Sequence, residues 1–234
     1  MEDIKKIMHH WNPIKAVILD MDGVLVDSEP YHVQAFKIMM DELNLHYDDS
    51  VVHSFIGHSI ESNIQSINKQ FMQNRELNVK DAVIYRDKIY LDLIKQAKLK
   101  PLPGIYELIE SCRNSDITVA LASSSIREQV DVIINSLSHD NWNLRTLFSS
   151  VVTGDDVTNR KPDPEIYTKT LQNLKLSANQ CLALEDSPAG VKSAKSAGLY
   201  CIGLKSIFID PNDLSEADIL IEDINQIVSI FDEV

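Results

Sequence analysis

Ala16-Val17-Ile18-Leu19-Asp20-Met21-Asp22-Gly23 sets four apolar residues directly against two aspartates and a glycine. A short run without polar alternation reads as a strand buried on both faces, as in a parallel sheet, with the acids at its C-terminal edge. The arrangement returns along the chain. Apolar runs stand at Thr118-Val119-Ala120-Leu121-Ala122, Val151-Val152, Cys181-Leu182-Ala183-Leu184 and Tyr200-Cys201-Ile202-Gly203, with a sixth candidate at residues 218–221. Between them, the spacing of Ile105/Leu108/Ile109/Cys112, Ile126/Val130/Ile133/Leu137 and Ile166/Thr170/Leu171/Leu174 predicts helices. Pro188 near the start and Gly198 just past the end mark another over residues 188–197. This alternation predicts an α/β fold: a Rossmann-like parallel sheet with helices on both faces.

Residues 31–98 break the alternation. Their stripes, Val33/Phe36/Met40/Leu43, Ile60/Ile64/Ile67/Phe71 and Val83/Tyr90/Ile94/Ala97, are helical, and no strand pattern interrupts them. The chain leaves the sheet after Ser28-Glu29-Pro30 and returns through Lys100-Pro101-Leu102-Pro103-Gly104, a turn by composition. The expected organisation is an α/β core of residues 1–30 and 99–234, with a small all-helical cap, 31–98, inserted after the first strand.

Of 234 residues, 44% are hydrophobic and 24% charged, an ordinary globular balance. The three cysteines, Cys112, Cys181 and Cys201, have no metal-ligand spacing and read as buried thiols of a reducing compartment. MEDIKKIMHHWNP lacks a secretory layout, and no apolar run approaches the roughly 20 residues that span a bilayer, so a cytoplasmic protein with no membrane partner is expected. Acidic residues outnumber basic ones 35 to 22, and the net charge of −13 repels nucleic acid. A phosphorylated substrate would be repelled too, unless cations stood within a Debye length of about 8 Å.

Open α/β sheets carry their sites at the C-terminal ends of strands. Asp20 and Asp22 follow the first run, Ser123, Ser124 and Ser125 the second, Gly154-Asp155-Asp156 and then Lys161 the third, Glu185 and Asp186 the fourth. These segments resemble the ordered signature of the haloacid dehalogenase superfamily of phosphohydrolases: Asp20-Met-Asp22-Gly-Val, Ser123 in Leu-Ala-Ser-Ser, Lys161 in Arg-Lys-Pro-Asp-Pro, and Glu185-Asp186-Ser-Pro-Ala-Gly. The likeness runs from about residue 14 to residue 225, and the helical insert is similar to the cap of the beta-phosphoglucomutase-like group.

The resemblance implies a nucleophilic Asp20 that takes the phosphoryl group as an aspartyl phosphate, splitting one hard displacement into two. Asp22 then alternates as acid and base. Mg²⁺ is the expected cofactor, with Asp20, the backbone carbonyl of Asp22, and Asp186 as ligands, and with Glu185 either ligating or holding a metal-bound water. Lys161 shares the phosphoryl charge, while Ser123 and the backbone at Ser124 donate hydrogen bonds to it. The expected partner is a small-molecule phosphate ester, handled by a monomer or weak dimer.

Plainer roles stand beside these. Asp20 could cap a helix or form a turn, Lys161 could be a solvated loop lysine, Glu185 could only orient its neighbours, and Gly154-Asp155-Asp156 reads first as a turn. Ser125 is expected to cap the helix near Ile126. Arg86, on an apolar stripe, reads either as a phosphate or sugar contact or as a snorkelling side chain. His32 matches a histidine of the beta-phosphoglucomutase pattern, which makes it a substrate-binding candidate, but it also sits at an exposed helix start. His9, His10, His46, His53, His58 and His139 read as surface residues.

A Mg²⁺-dependent phosphatase of a small phosphorylated metabolite, such as a sugar phosphate, is the leading expectation. The alternative is a beta-phosphoglucomutase-type mutase; family mutases grip the distal phosphate with a cap arginine, and Phe55-Ile-Gly57-His-Ser-Ile60-Glu61 puts Ile60 there, leaving Arg86 or His58 to substitute. Asp22 speaks against a dehalogenase. A silent binding module on the same scaffold is the reading from outside enzymology.

Overall fold

The computed structural model describes residues 14–72, 75–139, 142–206 and 209–231. The apolar runs are strands: β1 (Ala16–Leu19), β2 (Thr118–Ala122), β3 (Phe148–Val152), β4 (Cys181–Glu185), β5 (Tyr200–Leu204) and β6 (Ile219–Ile221). They form one sheet in the order β3-β2-β1-β4-β5-β6, each neighbouring pair parallel. β3 starts before the Val151-Val152 pair that announces it. Ser150 interrupts the apolar run yet is buried, its hydroxyl accepting from the Asn173 amide at 3.1 Å.

The helices, in chain order, are α1 (Glu29–Glu42), α2 (Asp49–His53), α3 (Ile60–Phe71), α4 (Val79–Gln96), α5 (Ile105–Asn114), α6 (Arg127–Leu137), α7 (Leu144–Leu147), α8 (Glu165–Leu174), α9 (Pro188–Ser196) and α10 (Asn225–Phe231). The chain divides into two compact units, Met1–Asp27 with Leu99–Val234, and Ser28–Lys98.

In the first unit the strand order steps outward from β1 in one direction through β2 and β3, then in the other through β4, β5 and β6. Parallel crossovers are right-handed, so this reversal puts the helices of the two halves on opposite faces. It also opens a crevice beyond the carboxyl ends of β1 and β4, where chains of this topology bind ligands. Every residue of β1 and β4 is buried.

The second unit is helical. Phe36, Met39 and Met40 of α1 form one buried cluster with Val52, Phe55, Ile64, Ile67 and Ala82, and Ile60 packs against it. The short α2 interrupts a stretch in which the sequence shows no stripe. Ser59 caps α3, its hydroxyl accepting from the Ser62 N–H.

The N-terminal MEDIKKIMHHWNP segment, His9 and His10 with it, lies outside the described residues. Among the described residues, no helix is long and apolar enough to cross a membrane. All three cysteines are buried free thiols, and burial pushes Cys112 up to about 12 and Cys181 up to about 11.

Candidate active site

β1 ends at Leu19, and the chain turns at once: the Met21 carbonyl accepts from the N–H groups of Leu25 and Val26 at 2.9 and 3.1 Å. Asp20 and Asp22 therefore lie on a loop, not on a continuing strand whose two-residue period would align them. Asp20 is tied to the sheet by its own N–H, which donates to Leu184 of β4 at 3.0 Å. Gly23 makes the turn possible. It takes φ +80°, and a Cβ there would stand 1.8 Å from Asp186 Oδ2, so a side chain is excluded on two counts.

Asp20, Glu185 and Asp186 each offer a carboxylate oxygen, and these oxygens lie within 4.8 Å of one another. All three residues are buried. The carboxylate of Asp22 is not in this group; its Oδ2 accepts from the Ser125 hydroxyl at 2.8 Å. That bond corrects the expectation for Ser125. The N-cap of α6 is Ile126, whose N–H is met by the Gln129 side chain at 3.3 Å, and the Ser125 hydroxyl reaches across to the first loop instead.

Lys161 joins the acids. Its ammonium donates to Asp20 Oδ1 at 2.5 Å, Glu185 Oε1 at 2.6 Å and the Ala122 carbonyl at 2.9 Å, which uses all its donors. With its side chain only 5% exposed it is no solvated loop lysine. Burial pushes the Asp20 carboxyl up to about 7, helped by the charges of Glu185 and Asp22 and opposed by Lys161. For Lys161, burial would lower the ammonium, but Asp20 and Glu185 outweigh it and hold the pKa above the usual lysine range.

Glu185 is closely packed. A Cβ on Gly190, in the first turn of α9, would stand 1.8 Å from Glu185 Oε2, so the carboxylate lies flat against that turn. Its Oε1 also accepts from the Tyr167 hydroxyl at 2.6 Å. Burial first, then the charges of Glu185 and Asp20, push that phenol well above its usual range, so it stays a donor. Tyr167 is absent from the sequence-derived candidates. The signal was its place on the buried stripe of α8, since a buried phenol must find a partner.

Ser123 is 1% exposed; its N–H donates to Val152 and its Oγ accepts from the Ser125 N–H at 3.1 Å. The Ser124 hydroxyl is buried without a hydrogen-bond partner among the described residues. Gly154–Asp156 is a 3₁₀ turn, as read. Asp156 accepts from the Thr153 N–H and hydroxyl and from Arg127, and Asp155 accepts from the Arg127 N–H, so these acids tie the β3 loop to α6.

Within the helical unit, Arg86 is 0% exposed, which corrects the snorkelling expectation. Its Nη2 lies 2.5 Å from His32 Nδ1 and 3.2 Å from the His32 carbonyl, its Nη1 3.2 Å from Asp87 Oδ1, and its guanidinium over the Phe36 and Tyr90 rings. Acceptors at both Nη atoms and aromatic faces over the plane offset part of the cost of burying the guanidinium. Arginine has no acceptor, so His32 Nδ1 must accept and the imidazole carries its proton on Nε2. His32 also stacks on Tyr90, centroids 4.0 Å apart. His53 and His58 are exposed, as read.

The family model for haloacid dehalogenase-like hydrolases matches residues 17–204. The validoxylamine A 7'-phosphate phosphatase of Streptomyces hygroscopicus subsp. limoneus is 27% identical over 219 residues, 91% of this chain and 95% of its own length. The beta-phosphoglucomutase of Bacillus subtilis (strain 168) is 32% identical over 200 residues, 82% of this chain and 83% of its own. CbbY from Rhodobacter sphaeroides, crystallised with xylulose-(1,5)bisphosphate, shares the fold with a TM-score of 0.77 at 24% identity, covering 90% of this chain and 95% of that one.

Proposed function

The chain belongs to the haloacid dehalogenase-like hydrolases and is a phosphohydrolase; from that premise we propose that it is a Mg²⁺-dependent phosphatase of a small phosphorylated metabolite, a sugar phosphate by class, working through an aspartyl phosphate on Asp20. The observation that carries this reading is the Lys161 ammonium held between Asp20 and Glu185, with Asp186 completing a buried acid group.

In the first half-reaction an Asp20 oxygen attacks phosphorus, the bond to the leaving oxygen breaks, and Asp22 gives that oxygen a proton. In the second, Asp22 takes a proton from water as the water attacks the acyl phosphate, releasing inorganic phosphate and restoring Asp20. The Ser125 hydroxyl steadies Asp22 through both steps. Lys161 meets the negative charge of the phosphoryl oxygens, and Ser123 and Ser124 offer hydrogen bonds to them. The donor set suits a hard cation, since Asp20, Glu185 and Asp186 present close, buried carboxylate oxygens and neither sulfur nor imidazole is among them. Bound there, Mg²⁺ would neutralise the carboxylates and share the phosphoryl charge.

The mutase is the second reading, favoured by the Bacillus subtilis relative. Against it stands Ile60, packed on an apolar cluster where a phosphate-gripping arginine would be needed. Steady hydrolysis of p-nitrophenyl phosphate with Mg²⁺, lost on chelation and in Asp20→Asn, is the expected result; turnover in excess chelator would remove the phosphatase proposal. Glucose 6-phosphate formed from beta-glucose 1-phosphate with a trace of bisphosphate would replace it with the mutase.

A further inference from the structure

The reaction set out above gives Tyr167 no part, although its hydroxyl touches the group that holds Lys161. The residue is 0% exposed, on α8 between Ile166 and the buried Thr170 and Leu171. Phenylalanine would fill that place equally well, and a buried hydroxyl without a partner costs about 1–3 kcal/mol. Here the hydroxyl donates to Glu185 Oε1, the same oxygen that the Lys161 ammonium reaches, each at 2.6 Å. The Lys161 nitrogen also stands 5.1 Å from the centre of the Tyr167 ring, so one side chain meets the lysine directly by its face and indirectly through the glutamate.

Two properties of the partners give this geometry its consequence. A carboxylate on a glutamate stem turns freely about its last torsion, and a lysine ammonium is a point charge on a flexible four-carbon chain. Neither fixes the other. The Tyr167 hydroxyl comes from a helix, occupies one lone pair of Oε1, and leaves the other aimed at Lys161. Gly190 lies against the face of the carboxylate and limits how far it tilts, but it offers no donor that would choose which oxygen meets Lys161.

We propose that Tyr167 is a positioning residue for phosphoryl transfer: its hydroxyl fixes Glu185 Oε1, and Glu185 together with the Tyr167 ring fixes the Lys161 ammonium against Asp20. The chemical consequence rests on the phosphatase reading; the positioning itself does not.

Tyr167→Phe keeps the ring and removes only the donor. With p-nitrophenyl phosphate and Mg²⁺, kcat is expected to fall about tenfold, the lower end for partners that orient a site from behind, with KM within about twofold. In a Glu185→Ala background, which leaves no side-chain acceptor for either donor, the same change is expected to alter kcat less than about twofold, because the relay is already broken. The second readout needs no turnover. In the metal-free protein an ammonium-selective ¹⁵N spectrum should show a slowly exchanging Lys161 signal, assigned by its loss in Lys161→Met, and Tyr167→Phe should broaden it. A wild-type kcat in Tyr167→Phe, a loss undiminished by Glu185→Ala, or a Lys161 signal that is missing in the wild type or unaltered by Tyr167→Phe overturns the proposal. A wild type without phosphatase activity sinks the phosphatase reading alone and leaves the ammonium spectrum to decide on Tyr167.

Discussion

In the α/β unit the buried charged residues, Asp20, Glu185 and Asp186, come from two strand ends and meet in one place, together with Lys161 from a third segment. In the helical unit Arg86 and Asp87 are neighbours on α4, closed in by His32 and by aromatic rings. Both units bury charge, but they do so differently. The first gathers carboxylates at a cost that burial registers on Asp20, whose carboxyl rises to about 7. The second surrounds one cation with acceptors and π faces. Buried charge that strains its carriers belongs to chemistry, whereas buried charge that is well supplied with partners holds a fold together.

That contrast is open to breakage. Asp20→Asn should lower turnover at least about 10⁴-fold, the scale seen when a nucleophile is removed. In chelator near neutral pH the same variant should melt at or above the wild-type temperature, because it discards a charge that burial disfavours; a large loss of stability would put Asp20 in the second class. Arg86→Met should do the reverse, destabilising by about 3–5 kcal/mol in denaturant unfolding, since Asp87 is left buried with its charge. Asn63→Ala should cost about 1–3 kcal/mol, because the Phe55 carbonyl loses the amide that donates to it at 2.9 Å.

The smallest effects lie on the two pH flanks. Burial, then Asp41, which accepts from it, push the Tyr47 phenol from 10.0 to about 12 in the helical unit. A raised value means that stability is present below the unfolded pKa and is lost as pH climbs through the folded one. Tyr47→Phe should therefore flatten the alkaline limb of a stability profile. In the α/β unit burial opposes ionisation of Asp156, but the Thr153 donors and Arg127 outweigh it and lower the carboxyl below its usual 3.8. A lowered value reverses the sign: the contribution holds above the ordinary value and disappears as pH falls past the folded one. Asp156→Asn should flatten the acid limb.

The same contrast sets how far the sequence alone reaches. Asp20, Glu185 and Asp186 were legible because each stands at the end of a strand whose apolar run is continuous, and parallel order carries those ends to one edge. Lys161 was legible from its Arg-Lys-Pro-Asp-Pro segment rather than from the broken run before it. Ser150 hid the start of β3, since a buried serine with an amide partner reads as a break. Ser125 was misread because capping a helix and holding Asp22 ask for the same hydroxyl. Tyr167 and Arg86 sit on stripes that show them turned inward, but a stripe says nothing about what is met there. Their partners stand 18 and 54 residues away, and only the packed chain brings them in.

The place of β1 in the middle of the sheet also matters while the polypeptide is being made. Its first neighbour, β2, emerges about midway, but the β4 side of β1 has nothing to pair with until residues 181–185 appear. At roughly 5–20 residues per second that interval lasts on the order of 10–30 s, during which an apolar strand offers a bare backbone edge to any other nascent strand nearby. A ribosome-bound intermediate ending before β4 is therefore the form of this chain most in need of a chaperone, and the step that ends its exposure is the same one that assembles the acid cluster.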